Sequence, residues 1–247
     1  MKKLLFVLCL MGLISSAAAQ FGFYNVRTHK VLVFTKTMGW RHNSIEAGVH
    51  ALRSLEKEGD FNLVQTEDSF VFQLEHLKQY DLVIFLSTTQ EVLNDEQQEA
   101  FEAYIKQGGS YMGIHAACDT EYNWPWYGKL AGAYFNGHPN NPNVRTATIQ
   151  VVDAAHPSTK HLPATWIRTD EWYNYKQLNP NMTILLNLDE STYDGGTNGV
   201  SHPIAWYHEF DGGRSFYTGG GHTVESFAEP AFLKHLLGGI TYCLGVD

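Results

Sequence analysis

Between residues 30 and 115, short apolar runs alternate with segments of helical periodicity, and that order restricts the chain more than any other feature. Lys30-Val-Leu-Val-Phe-Thr35 is β-branched and apolar, the pattern of a buried strand. Ile45, Val49, Leu52 and Leu55 then recur at helical spacing, with Asn43-Ser44 placed to cap the helix and Gly59 to end it. Phe61 to Thr66 is a second strand and Asp81 to Ser87 a third. Asn94 with Gln97 has the form of a capping box ahead of an apolar stripe at Phe101, Tyr104 and Ile105. Gly108-Gly109 stops that helix, and Ser110 to Ile114 resumes a strand. Strand alternating with helix predicts an α/β fold with a mainly parallel sheet and crossover helices.

The second half is less regular. Residues 120 to 145 are rich in Trp, Tyr, Asn, Gly and Pro, which predicts a long ordered loop with a short helix near Trp126 to Ala131. Further strands are expected at Ala147 to Val152, Thr183 to Asn187, Pro203 to Glu209 and Ser215 to Thr218, and a last helix from Pro230 to Leu244. No linker composition divides the chain, so one domain is expected from residue 20 to residue 247.

The N-terminus has the order of an export signal. Lys2 and Lys3 precede an apolar run from Leu4 to Ile14, and small residues lead to Ala17-Ala18-Ala19 before Gln20. A cut after Ala19 is expected, leaving a periplasmic or secreted chain with no membrane span. Loss of Lys2 and Lys3 would move the formal charge from −9 to −11. That balance, with no cluster of Lys or Arg, argues against a nucleic-acid partner. Two cysteines would remain, Cys118 and Cys243; whether they pair is open, and Cys118, flanked by small residues, is expected to be a buried inert thiol. Oligomeric state is also open, a homo-oligomer included.

In an open parallel sheet, ligands bind beyond the carboxyl ends of the strands. Gly39-Trp40-Arg41-His42 follows the first strand, and Gly113-Ile114-His115 ends the fourth. His202 precedes a late strand and His222 follows another, so the topology draws His42, His115, His202 and His222 toward one edge. A strand entering a sharp turn among small residues is the layout of a nucleophile elbow. The exposed position here is a histidine, suited to proton transfer or metal binding rather than to a covalent acyl intermediate. Asp170-Glu171-Trp172-Tyr173 adds carboxylates beside aromatic rings, Glu171 being the better base or ligand and Asp170 equally a solvated loop acid. His208, further along its strand, is expected to be a core histidine. There is no H-E-x-x-H, C-x-x-C, P-loop or G-x-G-x-x-G motif, so no cofactor is implied and no metal ligand is assigned. A zinc site assembled from His115, His202, His222 and Glu171 stays open. Trp40, Trp124, Trp126, Trp172, Tyr173 and Trp206 lie close in sequence to these polar residues; half of them are expected in the core, and the others suit a polyhydroxylated ligand.

These same stretches resemble the ThuA-like (trehalose utilisation) family, along with Gly137-His138-Pro139 and Gly212 to His222, in order over almost the whole chain. The resemblance implies a class I glutamine amidotransferase-like fold, a flavodoxin-like three-layer sandwich. Amidotransferases carry G-x-C-x-G at the turn. Gly113-Ile114-His115-Ala116-Ala117 has no thiol there, so glutaminase activity is expected to be absent. The family's association with oxidised (3-keto) glucosides implies carbohydrate catabolism, by an isomerase, lyase or hydrolase. The expected catalytic set is His115, Glu171, His222 and Asp119. Trp40, Arg41, His42, His138, Tyr173, His202 and Trp206 are expected to bind substrate. A sugar-binding module without catalysis and a metal-dependent hydrolase are the alternatives.

Overall fold

The computed structural model describes residues 28–246, so the expected signal segment lies outside the described residues. Strands β1 (His29–Phe34), β2 (Phe61–Thr66), β3 (Leu82–Leu86) and β4 (Ser110–Ile114) stand where the apolar runs predict them. Every residue of β3 and β4 is buried, as strands covered on both faces must be. Helices α1 (Ile45–Ser54), α2 (Glu56–Gly59), α3 (Leu74–Leu77) and α4 (Asp95–Lys106) fill the crossovers. The capping box of α4 forms in full, with Asn94 accepting from the Gln97 amide and Gln97 reaching back to the Asn94 amide. Ser44 stands at the N-cap of α1 but makes no cap bond. Its hydroxyl instead donates to the Gly221 carbonyl at 2.8 Å, 177 residues away.

The later elements are α5 (Pro125–Ala131), β5 (Tyr134–Phe135), β6 (Val144–Val151), β7 (Thr165–Glu171), β8 (Tyr175–Lys176), β9 (Thr183–Asp189), β10 (Pro203–Phe210), β11 (Gly213–Thr218) and α6 (Pro230–Leu244). The main sheet has nine strands in the order β2-β1-β3-β4-β11-β10-β9-β6-β7. From β2 to β11 all pairings are parallel, the 2-1-3-4 order of flavodoxin-like folds with β11 in fifth place. Beyond β11 the sheet continues antiparallel.

Strand β7 was not expected. It buries alternate residues, but those inward positions include Arg168 and Asp170, so hydropathy does not mark it as a strand. Asp170 and Glu171 are thus buried strand residues rather than solvated loop acids. In a flat sheet β7 would lie about 19 Å from β11, at nearly 5 Å per strand. Yet Asp170 bonds the residues just after β11, so the antiparallel half curls back over the carboxyl edge of the parallel half. Arg168 joins that curl to α6: it pairs with Glu229 at 2.7 Å and lies over the Phe232 ring. Among the described residues no helix is long and apolar enough to cross a membrane.

His235, on the inner face of α6, is fully buried between the Ser158 carbonyl and the Thr218 hydroxyl. Burial pushes its pKa down from 6.5 to about 3. The unfolded chain binds the proton that the folded chain refuses, so this group's contribution is complete above pH 6.5 and is lost as pH falls toward 3. Urea unfolding at stepwise lower pH should show stability falling by up to about 1.4 kcal/mol per pH unit from this residue. His235→Gln should flatten that slope.

Candidate functional site

His115 stands at the first position beyond β4, with φ of 51°. A left-handed backbone at a non-glycine residue is uncommon and persists where the surroundings enforce it. They do so here. The His115 carbonyl accepts from the Tyr217 hydroxyl at 2.7 Å, and the ring Nδ1 meets the Gly219 carbonyl at 3.0 Å. A Cβ on Gly113 would fall 2.6 Å from the Tyr111 hydroxyl and 3.1 Å from Ala117, so the small neighbours of the elbow are sterically required. A short 3₁₀ turn, His115–Cys118, follows. Cys118 is buried, and burial pushes its thiol well above the usual range, so it is not a nucleophile.

A carbonyl only accepts, so His115 Nδ1 carries hydrogen, and in the neutral ring Nε2 presents a lone pair. That lone pair points at Glu171 Oε2, 3.5 Å away, and at His222 Nδ1, 3.3 Å away. His222 Nδ1 is in turn 3.0 Å from Glu171 Oε2. The His42 ring packs edge-on to both imidazoles, with centroids 4.7 Å from His115 and 5.2 Å from His222. Burial, joined by the neighbouring histidines, lowers the His42 pKa to about 2, so its ring is neutral. Burial also opposes the charge on Glu171, but its close imidazole neighbours His115 and His222, joined by the Asn143 amide, outweigh it and hold the carboxyl well below its usual range. A carboxylate held that firmly ionised is a weak base.

His42, Glu171 and His222 of this cluster line the floor of an open cavity of about 750 Å³, with His115 buried beneath them; Trp40, Phe135, His138, Tyr173, Asp119, Asn140, Asn141 and Asn143 wall it. Trp40 is 72% exposed at the rim. Tyr173 lies against His115, ring centroids 4.5 Å apart, and Phe135 lies against Tyr173. His138 Nε2 is 3.6 Å from Glu171 Oε1. Asp119 accepts from the Tyr122 hydroxyl at 2.5 Å, and desolvation raises its pKa. Desolvation thus moves Asp119 in the opposite direction to Glu171, toward a stronger base.

Three expected site residues lie elsewhere. Trp206 is a core residue whose Nε1 donates to the Ala131 carbonyl. Arg41 turns outward, where it pairs with Glu46 and Glu67, both at 2.8 Å. His202 is buried behind the cavity, held by Glu190 and by the Tyr173 carbonyl at 2.8 Å. It braces Tyr173 rather than facing a ligand, so of the four histidines expected to converge, His42, His115 and His222 do so and His202 does not. Trp124 and Trp172 are buried, and Trp126 is tied to Asp211, so of the six aromatics considered only Trp40 and Tyr173 reach the cavity. His208 is buried against the Lys129 carbonyl, as expected of a core histidine. Asn143 was not anticipated: its amide donates to Glu171 Oε1 at 2.5 Å and lies 3.4 Å from His222 Nε2. A lone Asn in a loop gives no sequence signal of such a role.

Asp170 holds these parts together. Its carboxylate accepts from the Gly221 and His222 amides, from the Ser226 hydroxyl and from the Glu171 amide, and Arg168 stands 3.5 Å away. Gly221, at φ 114°, supplies a backbone that other residues rarely adopt. Asp170→Ala should cost about 3–5 kcal/mol in denaturant unfolding, because it strands the buried amides of Gly221, His222 and Glu171 and takes one of the two carboxylates beside Arg168. An outcome near zero would mean that the loop holds itself.

Residues 30–243 match the family model for ThuA, described as trehalose utilisation. No curated protein matches the chain at significance. Among solved structures, a thua-like protein from Bacteroides uniformis ATCC 8492 is similar at 26% identity over 89% of this chain and 93% of that one, with a TM-score of 0.75. Another, from Parabacteroides merdae ATCC 43184, shares 20% identity over 88% and 90%, with a TM-score of 0.68. A segment of a β-galactosidase from Bacillus circulans sp. alkalophilus has the same fold: 15% identity, a TM-score of 0.59, and 89% of this chain on 32% of that one.

Proposed function

Because the chain belongs to the ThuA family, we propose that its cavity takes a carbohydrate and performs acid–base chemistry on a 3-keto-glycoside or related sugar, outside the cytoplasm. The observation that carries this reading is one cavity that joins aromatic faces (Trp40, Phe135, Tyr173) and amides to a floor of His42, His222 and the Glu171 carboxylate. Rings take the apolar faces of a sugar, and amides take its hydroxyls.

A ketone at C3 acidifies the C2–H bond. Asp119 accepts that proton. The C–H electron pair moves into the C2–C3 bond, and the carbonyl pair moves onto the C3 oxygen, stabilised from the side of His222. Return of the proton to either face gives an isomer. Alternatively, the enolate expels the C1 substituent, whose oxygen leaves with the bonding pair and takes up a proton. Glu171 is too firmly ionised to be the base expected from sequence; it accepts from His222 Nδ1 and holds that ring in place. The absence of a thiol at the elbow fits a protein that is not a glutaminase.

The test is NMR of the purified chain with a 3-keto disaccharide in D2O. Deuterium should enter at C2, or the aglycone should be released, with a rate that rises as pH climbs through a value above the ordinary Asp range, since Asp119 must be ionised. Asp119→Asn should slow the reaction at least about 100-fold. Trp40→Ala should weaken sugar binding about tenfold while leaving the fold intact. Saturation transfer to an unchanged sugar would identify a binding module without catalysis, and neither turnover nor binding would overturn the carbohydrate reading.

A further inference from the structure

We infer that His115, His222 and Glu171, with His42 as a fourth donor, form a binding site for a divalent transition-metal ion of the zinc class. His115 Nε2, His222 Nδ1 and Glu171 Oε2 form a triangle with edges of 3.0, 3.3 and 3.5 Å. A tetrahedral ion held at about 2.0–2.2 Å places its donors about 3.4 Å apart, so the triangle has the size of one face of such a site. One donor atom from each of the four residues lies within 4.8 Å of the others.

The count of hydrogens points the same way. The Gly219 carbonyl fixes the hydrogen of neutral His115 on Nδ1, which leaves Nε2 bare toward the cluster. Glu171 contributes only lone pairs. Asn143 faces His222 Nε2 with a donor, so the single hydrogen of neutral His222 sits on Nδ1 and serves Glu171. His42 is buried, and its Nδ1 has no hydrogen-bond partner among the described residues. The lone pairs of His115 Nε2 and Glu171 thus meet one hydrogen, that of His222, with the His42 ring packed edge-on beside them. A cation satisfies these lone pairs and releases the His222 Nδ1 hydrogen as it binds.

The surroundings are those that metal sites use. The second nitrogen of His115 is oriented by a backbone carbonyl, and the second oxygen of Glu171 by the Asn143 amide. The chemical role of the ion rests on the carbohydrate reading: it would hold the C3 oxygen as charge develops there. Its binding does not depend on that reading.

The test uses the full chain, stripped by a chelator, dialysed, and titrated with Zn2+ and Co2+ in the absence of sugar. We expect one tightly held equivalent by elemental analysis, a higher melting temperature with Zn2+, and the intense visible bands of four-coordinate Co2+. His115→Ala and Glu171→Gln should each weaken binding at least about 100-fold. His76→Ala, which removes an exposed histidine outside the site, should leave binding unchanged. If either core variant misfolds by circular dichroism, His222→Gln at the half-exposed corner serves instead. Failure of the stripped wild-type chain to take up an ion overturns the inference, as does undiminished uptake by folded His115→Ala. A chain that binds the ion but no sugar keeps this inference and loses the carbohydrate reading.

Discussion

The buried carboxylate of Asp170 is the constraint on which the site depends. Strand β7 is the far edge of the nine-stranded sheet, yet Glu171 at its end sits beside imidazoles that come from the parallel half. Asp170 closes that gap by bonding the Gly221 and His222 amides. A charge buried this deeply is tolerable only with several donors around it, and those donors are the backbone of the loop that carries His222. Folding the sheet over and building the floor of the cavity are therefore one event, with Ser44 adding a tie from the start of α1.

The parallel half of the fold was legible because its signals are local and redundant. β3 and β4 are apolar on both faces, and the capping box of α4 states its own boundary. The elbow was legible for a related reason, since Gly113, Ala116 and Ala117 bracket a position that needs small neighbours. β7 was not, because its inward positions hold Arg168 and Asp170, which are matched by partners far away in sequence. Alternation of hydropathy cannot reveal a strand whose buried face is partly ionic.

The same distinction explains the site. His42, His115 and His222 follow strands whose carboxyl ends share an edge, so topology alone gathers them. His202 shares the sequence context but not the placement: it enters β10, which runs antiparallel, and its ring is taken by Glu190 and the Tyr173 carbonyl. Arg41, one residue before His42, turns to solvent where two carboxylates await it. Adjacent residues in a loop point in different directions, and nothing in the sequence fixes which one faces inward.

The four residues of the cluster, His42, His115, Glu171 and His222, stand 73, 56 and 51 positions apart along the chain. No fragment holds more than part of the set, and the unfolded chain has no preformed version of it. Whatever occupies the floor is consequently bound by the native state alone, so its binding energy adds to the energy of folding. The occupant would then belong to the architecture as well as to the chemistry, with the cavity acting as a clasp that draws four distant stretches of chain shut around it.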